Sequence, residues 1–146
     1  MPRFLIVQLA DIGDLILSTP ALFALRDAHP DAHIAVLASM PAASLLPDHL
    51  ADKVILFDKH TFDNPKALLK PANLRKAIVL ARTLWRERCD TAIFFHHFTT
   101  RFGVLKFAAL ALCARSATRI GLDNGHGFFL TKRLPDRGFG ADHQAQ

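Results

Sequence analysis

The sequence predicts an α/β fold: an open parallel sheet with helices on both faces. Three observations point there. Apolar runs of four to seven residues recur along the chain, and a strand buried on both faces reads as such a run rather than as a polar/apolar alternation. Longer stretches with helical character separate these runs, which is the alternation a parallel sheet needs, because each strand must be carried back to the same end by a crossover. At 146 residues the chain is long enough for one core and short for two, so one domain is expected.

Taken in order, the expected strands are FLIVQL (4–9), HIAVLA (33–38), KVILFD (53–58), TAIFF (91–95) and TRIGL (118–122). The first helix is punctuated by STPALFALRDAHP, with Ser18 or Thr19 as cap, Pro20 near the first turn and Pro30 beyond the end. A helix starting straight after Gly13 would carry Pro20 inside it, which is tolerable only in its early turns. From Asn73 to Arg88, at about 100° per residue, Leu74, Ala77, Ile78, Leu80, Ala81, Leu84 and Trp85 share one broad arc. Arg75, Arg82 and Arg86 fall near one line on the other side, so this helix is expected to pack on the sheet and show a guanidinium stripe. FGVLKFAALALCA (102–114) contains Lys106 and is shorter than the roughly 20 residues of a bilayer span, so it reads as a buried helix. After Leu122 the pattern breaks into DNGHGFFLTKRLPDRGFGADHQAQ, a segment with no sustained period that is expected to pack loosely. The expected division is a domain over 1–125 and an irregular tail over 126–146.

Composition narrows the classes. The net charge is +5, and the segment from Lys59 to Arg88 alone carries +6; such a surface suits an anionic partner, such as nucleic acid, phosphorylated glycolipid or membrane, or is simply a solvated face. Cys89 and Cys113 show neither CxxC nor Cys/His spacing, so neither disulfide framework nor zinc site is indicated and a reducing cytoplasm is the expected location. MPRFLIVQLADIGD meets aspartates after one short apolar stretch, unlike a secretory signal.

Ligands of open parallel sheets bind beyond the carboxyl ends of the strands. There the sequence places Asp11, Gly13 and Asp14, then Ser39, then Asp58 to His60, then His96 to Arg101, and last Asp123 and Asn124. Asp14 reads in two ways. It can cap a helix, accepting from free backbone N–H groups; or it can serve as a general base, kept ionised by the helix dipole and aimed into the crevice. Gly13 would permit the tight turn that positions it. His29 and His33 have i, i+4 spacing, but Pro30 lies between them, so a metal pair is not expected. The first turn, LADIGD, lacks both GxGxxG and GxxxxGK, which excludes the common dinucleotide and P-loop readings.

FLIVQLADIGDLILSTPALFALRDAHPDAHIAVLAS, followed by RIGLD, ATRIGLDNGHGFFLTKRLP and DHQAQ, resembles the N-terminal half of glycosyltransferase family 9, the lipopolysaccharide heptosyltransferases. The resemblance implies a Rossmann-like acceptor-side domain, one of two facing halves in the GT-B arrangement, with the chain stopping at the interdomain linker and the donor-binding C-terminal domain absent. It implies inverting transfer of a sugar from a nucleotide-sugar to an anionic glycolipid of the lipid A/inner-core type, with Asp14 as catalytic base. Lys59, Lys66, Lys70, Arg75 and Arg101 would bind the acceptor, and Gly13 would position Asp14. No cofactor, metal or nucleic acid is implied; the donor would be bound only through the other half, leaving the chain inactive alone, with self-association and peripheral contact at the inner face of the cytoplasmic membrane as further expectations. Gln8 stands where a basic residue is common, which puts one acceptor-anion contact in question.

Two other readings arise from the sequence. In a receiver domain of a signalling pathway, Asp11 or Asp14, Asp58 as phosphoacceptor, and Thr99 or Thr100 come in the right order, although the acidic pair is not adjacent and no lysine ends the fifth strand. The other reading is a non-catalytic remnant of a truncated gene.

Overall fold

The computed structural model describes residues 1–135 except His97, Thr99 and Asn124; expectations for those three and for 136–146 lie outside the described residues. Six strands, β1 (Arg3–Gln8), β2 (His33–Ser39), β3 (Lys53–Phe57), β4 (Thr91–Phe94), β5 (Thr118–Asp123) and β6 (Lys132–Pro135), form one sheet in the order β3-β2-β1-β4-β5-β6. Every pairing is parallel. The helices are α1 (Ile12–Ala28), the short α2 (Lys59–Phe62) and α3 (Pro65–Leu68), α4 (Pro71–Glu87) and α5 (Arg101–Ala114), with a 3-10 turn at Ala42–Leu45. This strand order differs from the 2-1-3-4-5 order of receiver domains, so the receiver reading fails on topology.

The five expected strands are present, and the sixth was missed. KRLP alone has neither a β-branched run nor an alternation; it becomes a strand by pairing with β5, from Ile120↔Lys132 to Asp123↔Pro135. The segment before it is not loose. Phe129 meets Phe94 and Phe98 edge to face, Arg119 donates from Nε to the Phe129 carbonyl at 2.6 Å, and Phe129 and Leu130 are buried in the main core. Gly121 and Gly127 matter for their lack of a side chain, since a Cβ on either would come within 3.1 and 2.8 Å of Leu130.

Each face of the sheet has its own core. Leu5, Val7, Leu37, Ile55, Phe57, Ala92 and Phe94 point to one side and meet Leu84 of α4 and Phe107, Leu110 and Ala111 of α5. Ile6, Ile34, Val36 and Ala38 point to the other and meet Leu22 of α1 and the turn residues Ala43, Leu46 and Leu50. The second layer is thinner than expected because the β2–β3 connection holds only the 3-10 turn; Val54 and Leu56 of edge strand β3 are left exposed there.

At the amino ends of the strands one carboxylate ties the layers together. Glu87, the last residue of α4, is only 5% exposed. Its side chain pairs with Lys53 at the start of β3, with His33 Nε2 of β2 at 3.0 Å and with Arg3 of β1 at 3.6 Å. Arg3 Nε also donates to the Glu87 carbonyl at 2.7 Å, closing the open end of α4. Burial pushes the Glu87 carboxyl up, but hydrogen bonds and charge from Lys53 and His33 outweigh it and hold the group below the ordinary 4.5. A depressed carboxyl stabilises the fold above its unfolded value, and that contribution is lost as pH falls through the folded value. Glu87→Gln is therefore expected to cost about 2–3 kcal/mol at neutral pH. In denaturant titrations the gap between variant and parent should close as pH falls below 4.5; a pH-independent gap would mean that packing, not charge, is what the glutamate supplies.

Candidate functional site

The chain leaves β1 toward β2 on one side, while β4 takes up the other side of β1, so the topological switch point lies between the carboxyl ends of β1 and β4. Two helices begin at this crevice. α1 starts at Ile12, directly after the β1 loop, and α5 starts at Arg101 after the β4 loop. Thr100 caps α5, its Oγ1 accepting from the Gly103 amide at 3.0 Å.

The start of α1 departs from the expectation at STP. The helix begins six residues before Ser18 and carries Pro20 in its interior. Pro20 removes one N–H from the ladder, and nearby hydroxyls turn back on the preceding turn: Ser18 Oγ donates to the Asp14 carbonyl at 2.8 Å and Thr19 Oγ1 to the Leu15 carbonyl at 3.1 Å. Buried Gln8 completes this anchorage. Its Nε2 donates to Ser18 Oγ at 2.8 Å, and its Oε1 accepts from the Ala10 amide at 3.3 Å. Gln8 thus fastens α1 to the end of β1, so the residue at this position is occupied within the fold.

Asp14 is not the cap. Asp11 holds the N-cap position, without a capping bond from its side chain, and Asp14 lies in the first helical turn, its amide donating to the Asp11 carbonyl at 3.1 Å. The Asp14 side chain is exposed and has no hydrogen bond or ion pair among the described residues. Its acidic neighbours are engaged. Asp11 pairs with Lys59 Nζ at 3.2 Å. Asp58 caps α2, accepting from the Thr61 hydroxyl at 2.7 Å and from Lys76 Nζ at 3.2 Å; the Thr61 hydroxyl and then Lys76, against some desolvation, hold its carboxyl at about 2. An occupied cap is a poor phosphoacceptor, a second reason against the receiver reading.

Gly13 corrects another expectation. It is helical, outside the positive-φ region that requires glycine, and a Cβ there would meet nothing within 4 Å. The tight turn does not depend on it; what Gly13 leaves beside Asp14 is open space.

Of the five expected basic residues, Lys59 is brought to the β1 loop by its pair with Asp11. Lys66 on α3, Lys70 at the cap of α4, Arg75 one turn into α4 and Arg101 at the start of α5 are exposed, with no side-chain partner among the described residues. They follow the carboxyl ends of β3 and β4 without converging on one point. Sequence reasoning missed Lys76, and gave Lys106 no role beyond interrupting an apolar helix. Lys106 pairs with Asp63 at 2.6 Å and lies 5.5 and 5.3 Å from the Phe57 and Phe107 ring centres; a lone cation in an apolar helix was its signal, but its partner is 43 positions away. His96 packs its ring on Phe107 at 4.7 Å. His29 lies against Phe4 and His33 against Glu87, and no three His, Cys, Asp or Glu among the described residues form a metal-binding group. Burial raises the Cys89 thiol to about 11, so it is a packing residue rather than a nucleophile.

No family model matches the sequence, and no curated protein is found similar to it. Solved structures do match. The E. coli heptosyltransferase WaaC with ADP-2-deoxy-2-fluoro heptose superposes with a TM-score of 0.80 at 18% identity, over 98% of this chain and 44% of that one. The family 9 glycosyltransferase from Veillonella parvula gives 0.68 at 24% identity over 94% and 37%. The E. coli ADP-heptose lps heptosyltransferase II gives 0.65 at 19% over 93% and 35%. The chain thus has the α/β fold found in these transferases and spans less than half the length of each.

Gly13→Ala tests the geometry of the first turn. With a helical backbone and no neighbour in reach, it should raise stability in urea titration by up to about 1 kcal/mol; a loss of stability would show that the turn needs glycine after all.

Proposed function

We propose that the chain is the acceptor-side part of a heptosyltransferase-like glycosyltransferase of family 9. Its domain extends past the expected boundary at 125 to include β6 and the buried Phe129 and Leu130, and a separate donor-binding part completes the enzyme. The observation that carries the reading is Asp14, an unpaired carboxylate in the first turn of a helix at the switch point of the sheet, between neighbours whose charges are already satisfied. The likeness to WaaC over 98% of this chain supplies the reaction class.

In the proposed reaction an acceptor hydroxyl lies against Asp14 and gives its proton to the carboxylate as its oxygen attacks the anomeric carbon of a nucleotide-activated heptose. The bond from that carbon to the diphosphate breaks with its electron pair, inverting the configuration. Asp14 stands in the first turn of α1, at the positive end of the helix. Base catalysis of this kind contributes about a hundred- to ten-thousand-fold. Charge on the departing diphosphate must be met by donors from the donor-binding part, because this chain has no glycine-rich phosphate loop. The acceptor is a phosphorylated glycolipid of the lipopolysaccharide core, met by Lys59, Lys66, Lys70, Arg75 and Arg101. Work on such a lipid places the protein in the cytoplasm at the membrane; no helix among the described residues is long and apolar enough to cross one.

Fused to the donor-binding part of WaaC, the chain is expected to transfer heptose, and Asp14→Asn should lower kcat at least about a hundred-fold while leaving the acceptor KM nearly unchanged. Near-normal turnover in the variant would return Asp14 to a surface residue of α1. Replacing Lys59, Lys66 and Lys70 together by Gln should raise the acceptor KM and flatten its dependence on salt, because exposed charges are screened over about 10 Å at 0.1 M; an unchanged KM would make them solvated surface only.

A further inference from the structure

The first turn of α1 lacks the usual supports of a helix start. Its first N–H groups have no intrahelical acceptor, and Asp11 at the N-cap lends no side-chain bond. Pro20 has no N–H to give to the Ile16 carbonyl, so the ladder is interrupted shortly after Asp14. Packing adds little: Leu15 and Leu22 are the buried residues of the helix, whereas Ile16 and Leu17 are 56% and 45% exposed. A helix start held so lightly is prone to fray, yet it carries the carboxylate that the proposed reaction needs.

Gln8 supplies what is missing. It ends β1, an interior strand flanked by β2 and β4, and its side chain is buried, with the residue 2% exposed. An amide buried there must be met by polar partners, and the partners it finds belong to the Asp14 turn or to the loop that leads into it. Its Oε1 accepts from the Ala10 amide at 3.3 Å. Its Nε2 donates to Ser18 Oγ at 2.8 Å and to the Asp14 carbonyl at 3.4 Å, and Ser18 Oγ donates to that same carbonyl at 2.8 Å. The main chain of Asp14 is thus tied to the central strand through one amide and one hydroxyl. A lysine in place of Gln8 could donate to Ser18 but could not accept from Ala10; the glutamine gives up a charge at the crevice and gains a clamp with two sides.

We infer that Gln8 is a positioning residue: with Ser18 it fixes the main chain of Asp14, and so the place from which the carboxylate meets an acceptor hydroxyl. Its consequence for turnover rests on the transfer reading, whereas the anchoring rests on the contacts alone. The effect on rate follows from geometry, because a catalytic group displaced by about 1 Å loses up to about a hundred-fold in rate.

Hydrogen exchange of the isotope-labelled chain, followed by NMR, tests the anchoring without any reaction. In Gln8→Met, which keeps the length and bulk of the side chain, the Ala10, Asp14 and Leu15 amides should exchange at least about ten-fold faster while those of β4 and α5 keep their rates. Ser18→Ala should act in the same direction, and Ser18→Thr, which keeps the hydroxyl, should restore the parent rates. Unchanged exchange at Asp14 and Leu15 in Gln8→Met would overturn the inference, as would an equal rise across the whole sheet, which would make Gln8 a general support of the fold. In the fusion with the donor-binding part of WaaC, Gln8→Met should lower kcat about ten-fold with the acceptor KM nearly unchanged. Added to Asp14→Asn, it should cost almost nothing further, because it acts through the group already removed; the same loss in both backgrounds would contradict the inference. A fusion whose parent form transfers nothing would count against the transfer reading, and the exchange rates would still decide the anchoring.

Discussion

Glu87 draws the starts of three neighbouring strands and the end of a helix into one contact, and the two ends of the sheet differ because of it. At the amino ends Arg3, His33 and Lys53 surround a single buried carboxylate. Removing it would leave the Arg3 and Lys53 cations and the His33 ring without their shared partner and the last carbonyls of α4 held less firmly, so the register of β1, β2 and β3 and the seating of α4 depend on the same charge. With that end locked, the carboxyl ends can carry groups that do nothing for stability. Asp14 is such a group: exposed, unpaired among the described residues, and anchored only through the backbone and the Gln8–Ser18 contact beneath it.

Charge satisfaction separates structural from available residues at the crest. Asp11, Asp58 and Asp63 each have a lysine, and those pairs pin the short helix α2 to the β1 loop, to α4 and to α5. Surface pairs of this kind add little free energy, but they assign roles. Lys59, Lys76 and Lys106 are partly spent inside the protein, whereas Lys66, Lys70, Arg75 and Arg101 have no ion-pair partner among the described residues. The anionic acceptor of the proposed reaction would meet the second group first.

Much of this was legible in the sequence. The apolar runs marked β1 to β5, even at the edge strand β3 where Val54 and Leu56 stay exposed, and the period from Asn73 to Arg88 marked α4. The start of α1 was misplaced because Pro20 and the Ser-Thr pair resemble a cap; their hydroxyls instead return to carbonyls of a helix already under way, a compensation visible only in three dimensions. β6 escaped notice because KRLP is a strand by pairing alone. The apolar arc of α4 was read correctly, but its burial was overstated, since periodicity shows which residues share a side and not whether anything covers it. At the candidate site, position after the first strand marked Asp14 as a cap or a base, and the structure removes the cap reading; the engagement of Asp11, Asp58 and Gln8 depended on partners that spacing does not reveal.

In the proposed reaction the carboxyl edge of the sheet around Asp14 receives a phosphorylated sugar acceptor while the nucleotide-sugar is bound elsewhere. Amide NMR of the isotope-labelled chain, titrated in turn with a soluble phosphorylated core oligosaccharide and with ADP-heptose, tests it most directly. The oligosaccharide is expected to perturb Asp11 to Asp14, Lys59 to Lys70 and Arg101, and ADP-heptose to cause no change tighter than about millimolar. Micromolar binding of ADP-heptose at the same residues, or oligosaccharide shifts confined to the Glu87 end of the sheet, would contradict it.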